Sequence, residues 1–362
     1  SPMRPDHSTD GHGAQHAPRG RLPECQGPVI LAPFSHDGRS ELSIPLAVTC
    51  CVVLGVALAL LMTERGRALT ATTWRLVRMN GWRRFLNGET LHGYVYARWP
   101  RLYVAAGRTL EPVLFRFAAA KRYLADTYHG KVLPTDLAKR LISIRQPIEV
   151  RDMEQVVPYP MARDIILSAP LDLAVIDCPC RQSSPHPCEP IQVCMVVGKP
   201  YVDFTLAHHP ASSRRLTTAE ALQLLEDEHA RGHVHTAYFK ESAAGRFYAI
   251  CNCCKCCCGG IDAMVRWGVP MVTSSGYLAE MTPGQCVACG RCVPSCSFGA
   301  LSLNGRGLEI DTERCMGCGV CVGQCPREAL RLVRAPEKGL PLDVRALSGR
   351  PAPAVLPEVS GE

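Results

Sequence analysis

The segment Cys286-Val-Ala-Cys289-Gly-Arg-Cys292-Val-Pro-Ser-Cys296 has a cysteine spacing that returns 29 residues later as Cys315-Met-Gly-Cys318-Gly-Val-Cys321-Val-Gly-Gln-Cys325. The same shift superposes Gly290 on Gly319 and Leu303 on Leu332. Agreement of cysteine, glycine and apolar positions indicates an internal duplication. Three thiols spaced by two residues can close a loop around one metal centre, but three residues further on the chain has turned away. The fourth ligand of each centre must therefore come from another part of the chain.

Residues 282–333, which contain both copies, resemble the dicluster 4Fe-4S ferredoxin domain. The resemblance implies a βαββαβ fold, two [4Fe-4S] clusters and one-electron transfer between low-potential partners. In that family the last cysteine of each motif serves the other cluster. The resemblance thus assigns one cluster to Cys286, Cys289, Cys292 and Cys325, and the second to Cys315, Cys318, Cys321 and Cys296. Ser297 departs from the family pattern, which has proline there. Four-cysteine zinc sites are the alternative.

Composition limits the remaining possibilities. The 362 residues allow two domains, and the 21 cysteines are too clustered for a secreted disulfide framework. Iron–sulfur ligation needs free thiolates, and this requirement favours a reducing compartment. The sequence has no phosphate-binding loop, dinucleotide fingerprint or Gly-x-Ser-x-Gly elbow, so nucleotide-dependent chemistry is unsupported.

The N-terminal part predicts a membrane anchor. Residues 1–43 are rich in His, Pro, Gly and Arg and are expected to be a disordered tail. Residues 44–62 contain no charge and predict a transmembrane helix, with a buried soluble helix as the alternative. Arginines are more frequent after this span than before it, which predicts a single-pass protein of the cytoplasmic membrane with its C-terminal domains on the cytoplasmic side.

Residues 63–146 predict a basic helical segment beside the membrane. Residues 63–150 contain 16 Lys and Arg against 6 Asp and Glu. Apolar side chains recur at helical spacing from Trp74 through Val77, Trp82 and Phe85, as in a helix lying on anionic lipid. Membrane lipid is therefore the expected partner rather than nucleic acid, and a solvated helical face is the alternative. Further helices are predicted at 110–128 and at 135–144, the second capped by Thr135.

Residues 147–281 predict a cysteine-rich α+β domain. An apolar strand at 171–176 leads into Asp177-Cys178-Pro-Cys180-Arg181, and Thr217 with Glu220 forms a capping box for a helix that ends near Gly232. A hairpin of residues 233–240 and 246–250 then runs into a tract with six cysteines between residues 251 and 258. The histidines of this domain are expected in surface loops, namely His208, His209, His229, His233 and His235.

The cysteine tract predicts at least one additional metal centre, iron–sulfur or zinc, joined to the Cys178/Cys180 loop. Because alternate residues of an extended chain point to opposite sides, Cys251 and Cys253 can face one centre while Cys254 and its neighbours face another. Redox-active thiols or disulfides are the alternative. The candidate ligands are a subset of Cys178, Cys180, Cys188, Cys194, Cys251, Cys253, Cys254, Cys256, Cys257 and Cys258.

The whole sequence is thus interpreted as an α+β protein with an N-terminal transmembrane helix, a cysteine-rich domain, a ferredoxin-like dicluster domain and a flexible tail at 334–362. The expected function is membrane-anchored electron transfer through two [4Fe-4S] clusters, to or from the cysteine-rich domain or a protein redox partner. The protein is expected to be an electron carrier or redox subunit rather than a stand-alone enzyme. A reductase with a catalytic metal centre in the cysteine-rich domain is the alternative. A metal sensor or delivery module is a third.

Overall fold

The structure, a computed structural model, describes residues 54–55, 63–64, 67–81, 83–84, 88–151, 153, 156–157, 164–240, 243–305 and 307–347. The predicted tail at 1–43 lies outside these residues, and so does the predicted span at 44–62 apart from Leu54 and Gly55. Among the described residues, no helix combines the length and apolarity needed to cross a bilayer. The chain from Glu64 onward belongs to one compact unit.

The described secondary structure alternates between helices and strands. The strands are β1 (Thr63–Glu64), β2 (Arg67–Ala68), β3 (Tyr128–Leu133), β4 (Ile148–Arg151), β5 (Asp164–Leu167), β6 (Leu173–Asp177), β7 (Gln192–Val197), β8 (Ser213–Leu216), β9 (Val234–Lys240), β10 (Phe247–Cys253), β11 (Val272–Thr273), β12 (Tyr277–Met281), β13 (Leu301–Asn304), β14 (Gly307–Ile310) and β15 (Leu330–Arg334). The helices are α1 (Ala71–Asn80), α2 (Glu89–Arg98), α3 (Pro100–Leu114), α4 (Ala118–Thr127), α5 (Thr135–Ile142), α6 (Pro179–Gln182), α7 (Tyr201–His208), α8 (Thr218–Ala230), α9 (Gly259–Trp267), α10 (Cys292–Ser295), α11 (Val320–Gly323) and α12 (Val344–Leu347). A 3-10 turn covers Pro336–Lys338.

A seven-stranded sheet with the order β11-β3-β9-β10-β7-β6-β8 organises this unit. Its strands are antiparallel to their neighbours, except that β11 and β3 are parallel. Side chains alternate between the two faces, so each face has its own core. Leu133, Val175 and Ile250 belong to one core, together with residues of α5 and α8. The opposite core contains Val132, Tyr238, Ala249 and several cysteines.

Three expectations for the cysteine-rich domain are confirmed. The strand predicted at 171–176 is β6, and β9 and β10 form the predicted hairpin. Thr217 and Glu220 form the capping box at the start of α8, in which each residue bonds the backbone of the other.

The predicted boundary at residue 147 is wrong, because β3 pairs with β9 inside the sheet. The predicted lipid-facing surface around Trp74 is also wrong in part, since Val77 is buried and its neighbour Leu76 packs with Tyr94 and Phe204. Trp82 and Phe85 lie outside the described residues.

The predicted helix at 110–128 is instead the end of α3 followed by α4. Pro100 occupies the first turn of α3, where its missing N–H costs nothing, so this helix begins ten residues earlier than predicted. Thr135 is the first residue of α5 rather than its cap, which is Pro134.

The C-terminal repeat has the order β12-α10-β13-β14-α11-β15, the βαββαβ order that the resemblance implies. It begins at Tyr277 rather than at residue 282, because β12 pairs along its length with β15. The following segment is not the flexible tail predicted from residue 334 onward. Leu342 and Val344 are buried in the first core, and Asp343 forms an ion pair with Arg140 at 3.1 Å. Residues 348–362 lie outside the described residues.

Candidate metal centres

Two small cavities of about 20 Å³ each lie in the C-terminal repeat. Cys286, Cys289, Cys292 and Cys325 line the first. Cys296, Cys315, Cys318 and Cys321 line the second. The structure therefore places the last cysteine of each copy with the first three of the other, as the crossed assignment requires.

Equivalent backbone groups support the two crossing sulfurs. The Ala300 N–H donates to Cys296 Sγ over 3.2 Å, and the Ala329 N–H donates to Cys325 Sγ over 3.3 Å. Hydrogen bonds of this kind stabilise a metal-bound thiolate. Ser297, which replaces the proline of the family pattern, is buried, and the neighbouring turn α10 still has its counterpart in α11.

These thiols resist ionisation without a cation. Burial raises the pKa of Cys318 to about 12, although the Val320 backbone N–H opposes the shift and nearby thiols add to it. Burial and the neighbouring thiols also raise the pKa of Cys321. Four buried thiolates would repel one another, so a positively charged cofactor is needed to hold them ionised. The donor set fits iron–sulfur clusters.

The family model of the 4Fe-4S dicluster domain matches residues 285–329. This part of the chain is a 4Fe-4S dicluster domain. The match confirms the resemblance drawn from the cysteine spacing. It covers only this segment, and no curated protein and no solved structure gives a significant match to the chain.

The ten cysteines of the cysteine-rich region separate into two groups, of which the smaller has four members. The Sγ atoms of Cys188, Cys254, Cys256 and Cys257 all lie within 4.8 Å of one another. Four sulfurs around one tetrahedral ion at about 2.3 Å would be about 3.8 Å apart, so this group fits a single zinc or iron ion. Cys188 and Cys256 are joined as a disulfide, but their Cα atoms are 7.4 Å apart, beyond the usual reach of such a bond.

The larger group is a ring of six thiols that line one cavity, and each thiol interacts electrostatically with two neighbours in the ring. The order around the ring is Cys178, Cys180, Cys258, Cys253, Cys251 and Cys194. Strand register explains one side of the ring. In the pairing of β10 with β7, Ala249 lies opposite Val196, so Cys251 comes opposite Cys194. Cys253 follows on the same face of β10.

The other half of the ring comes from two chain turns. Cys178 and Cys180 belong to the turn that leaves β6 and begins α6, and Cys258 is the N-cap of α9. Hydrogen bonds from Cys178 and Cys258 hold the pKa of Cys180 well below its ordinary value, although burial opposes them, and the Gly259 N–H and Arg108 add to the effect. Hydrogen bonds to Cys180 and Cys253, together with burial, raise the pKa of Cys258.

A cavity of about 140 Å³ adjoins the six-thiol ring. Aromatic residues and the cations Arg181 and Lys240 contribute to its remaining wall. Tyr96, Tyr238 and Tyr248 line it, and burial raises the pKa of each of these phenols. The Lys240 ammonium lies 4.0 Å from the centre of the Tyr96 ring and also lines the cavity.

A buried polar network lies beside the ring, and the sequence analysis did not predict it. Arg181 donates to Glu228 Oε2 over 2.7 Å and to the Asn252 carbonyl over 3.2 Å. His233 Nδ1 lies 2.7 Å from the same carboxylate oxygen, and His235 Nδ1 lies 2.6 Å from Asn252 Oδ1. Arg181 follows Cys180, and Asn252 stands between Cys251 and Cys253, so the network fixes both arms of the ring. The only sequence signal was a polar residue next to the cysteines of each motif, namely Arg181 after Cys180 and Asn252 after Cys251.

Three of the contacts between the dicluster domain and the cysteine-rich region involve α8 and the cysteine tract. The Gln324 side chain donates to the Ala230 carbonyl over 2.9 Å, and Lys255 Nζ donates to the Pro294 carbonyl over 3.4 Å. Gly323 lies so close to His229 that a Cβ would come within 2.5 Å of its Nε2. Lys255 separates two members of the four-thiol group, and Pro294 lies between two dicluster cysteines, so the centres adjoin.

Proposed function

We propose that this chain transfers single electrons between the two [4Fe-4S] clusters of its dicluster domain and the thiol centres of its cysteine-rich region. When bound, the clusters supply reversible one-electron redox chemistry. Cys286, Cys289, Cys292 and Cys325 would hold the first, and Cys315, Cys318, Cys321 and Cys296 the second. The observation that carries the proposal is the direct contact of Lys255, inside the cysteine tract, with the loop between Cys292 and Cys296.

The four-thiol group is the nearest candidate for the next centre. It shares the tract with Lys255, and Arg108 holds the tract in place by donating to the Cys257 carbonyl over 2.8 Å. Once the Cys188–Cys256 disulfide is reduced, the group's four thiolates suit one tetrahedral ion, either iron, which can accept an electron, or zinc, which cannot. Metal analysis distinguishes a relay from a structural site.

The experiment that tests electron transfer is an anaerobic redox titration of the full chain followed by EPR. We expect reversible one-electron signals from the dicluster domain that do not respond to added small molecules. A Cys289→Ser and Cys318→Ser double variant should lose these signals. Their persistence in that variant, or their absence from the wild type, would contradict the proposal.

A reductase is the second candidate, and the tyrosine-lined cavity favours it. A substrate needs space beside a metal centre, and the cavity of about 140 Å³ extends beyond the sulfurs to Leu76, Val104 and Phe204. In a reductase a signal from the cysteine-rich region would shift on addition of the substrate. The same titration, repeated with candidate small molecules, separates the two functions.

We further propose that the protein works at the cytoplasmic membrane, as a single-pass protein with its redox domains on the cytoplasmic side. Residues 44–62 and the charges around them motivate this orientation. The exposed surface of α3 supports membrane contact, since Leu110 and Val113 are about half exposed and Phe117 follows them at 62%. Arg116 and Arg122 are exposed beside these residues. Apolar side chains flanked by arginine suit an anionic lipid surface. Cell fractionation with protease protection tests the orientation.

A further inference from the structure

We infer that the six-thiol ring of Cys178, Cys180, Cys194, Cys251, Cys253 and Cys258 is a binding site for an iron–sulfur cluster larger than a single [4Fe-4S] cube. This rests on the proposed function, because it names the redox centre that the dicluster domain would serve. The site is distinct from the four-thiol group, although Cys254 of that group also lines the same cavity.

Ligand number is the first argument. A tetrahedral metal ion takes four protein thiolates, and a cube also takes four, one for each iron. Six thiols that close a single ring exceed what either can use. All six of these cysteines line one cavity, so none of them is set apart from the others. A cofactor with six outer coordination positions is therefore needed.

Space is the second argument. The cavity beside the ring measures about 140 Å³, against about 20 Å³ for each of the two cavities that the dicluster cysteines line. Two bare zinc ions bridged by six thiolates would leave most of that space empty. A cluster that contains inorganic sulfide as well as iron occupies it better.

Charge is the third argument. Six thiolates in an apolar cavity need compensation, which metal ions supply in part. The protein supplies more, because Lys240 lines the cavity and Arg108 reaches the tract beside Cys258. The Arg181 guanidinium adds little net charge there, since Glu228 neutralises it. A cluster with residual negative charge matches this arrangement.

The test measures iron, acid-labile sulfide and zinc in full chain purified anaerobically, normalised to the EPR spins of the dicluster domain. We expect more than about thirteen irons per chain, since two cubes account for about eight, a single further cube for four more and an iron ion in the four-thiol group for one. A Cys194→Ser and Cys253→Ser double variant should lose more than about four of these irons and keep the dicluster signal. Cys25→Ser is the matched control and should lose none.

Two results would overturn the inference. One is a wild type with about thirteen irons or fewer, including the case in which zinc without sulfide occupies the ring. The other is a double variant that retains the wild-type iron. If that variant fails to fold and loses the dicluster signal as well, the wild-type iron count still decides. Failure of the proposed function is distinguishable, because it appears as a missing dicluster signal whatever the ring contains.

A Lys240→Met variant tests the charge argument by a different readout. Loss of the cation should lower the reduction potential of the ring cluster and leave the potentials of the dicluster clusters unchanged. An unchanged ring potential would show that Lys240 does not face the cluster.

Discussion

Arg181 and Glu228 form an ion pair at 2.7 Å in which both side chains are fully buried. Burial opposes ionisation of the Glu228 carboxyl, but hydrogen bonds from His233 and Arg181 outweigh it and hold its pKa below the ordinary value. The pair joins α8 to the turn that carries Cys178 and Cys180. Its geometry therefore controls the shape of the six-thiol ring.

Glu228→Gln should destabilise the protein by about 3–5 kcal/mol, because it leaves the Arg181 charge buried without a counter-charge. The measurement is denaturant unfolding under anaerobic conditions. Glu226→Gln is the matched control, since Glu226 lies on the same helix in an ion pair with Lys139 but is half exposed. That substitution should cost less than about 1 kcal/mol. Equal effects of the two would contradict a structural role for the buried pair.

The crossed cluster ligation can be tested by pairing cysteine substitutions. Cys289→Ser with Cys325→Ser removes two ligands of one cluster and should leave the other, with about four dicluster irons. Cys289→Ser with Cys296→Ser damages both clusters and should leave almost none. In an uncrossed arrangement the two results would be exchanged. Iron analysis and EPR spin counting read them out, with Cys25→Ser as the control.

Gly323→Ala should slow electron transfer between the dicluster domain and the cysteine-rich region several-fold. The added Cβ would lie 2.5 Å from His229 Nε2, so the His229 ring must rotate away or α8 and α11 must separate. Rapid-freeze EPR after reduction gives the rate. His229→Ala should restore it in the double variant, because the steric conflict disappears. If the double variant stays slow, the contact is not what sets the rate.

Stability should fall as the pH drops below about 6.5, partly through His235. Burial lowers the pKa of this side chain to about 4, although its hydrogen bond with Asn252 opposes the shift. The unfolded chain binds a proton at about 6.5 and the folded chain does not, so stability is complete above pH 6.5 and decreases toward pH 4 by up to about 3 kcal/mol. Thermal unfolding across this range measures the slope. His235→Gln should flatten it, and an unaltered slope would assign the effect to other groups.

Val113→Glu with Phe117→Glu should weaken contact of the α3 surface with anionic lipid. Hydrogen exchange of residues 100–117 in the full chain should slow on reconstitution into anionic vesicles, and the charged variant should lose this protection. Ile166→Glu, at an exposed apolar position in β5, is the control. Protection that is the same in neutral vesicles would remove the electrostatic part of the argument.

Cysteine spacing predicted the dicluster domain because local chain geometry alone decides which thiols can share a cluster. Strand alternation likewise separated Cys251 and Cys253 from Cys254. It could not place Cys258, which turns back to the ring because it caps α9. The contribution of Cys178 and Cys194 depends on how β6, β7 and β10 pair.

The histidines also show the limit of prediction from local sequence. His233 and His235 were expected in surface loops, yet both are buried beside Glu228 and Asn252. The correction depends on the pairing of β9 with β10 and on the packing of α8, neither of which has a local signature. The excess of basic residues before residue 147 led to the prediction of a helical segment. That region also contains strand β3, which lies within the seven-stranded sheet.

The tract from Cys251 to Cys258 supplies thiols to both the ring and the four-thiol group, and α2 and α3 form part of the wall of the cavity beside it. Those helices precede the tract in the chain and would leave a ribosome before it does. Once docked, they narrow the route by which a bulky cofactor reaches the ring. Biogenesis should therefore follow an order, in which maturation factors deliver iron and sulfide while the early helices are still undocked, and closure of the fold comes last.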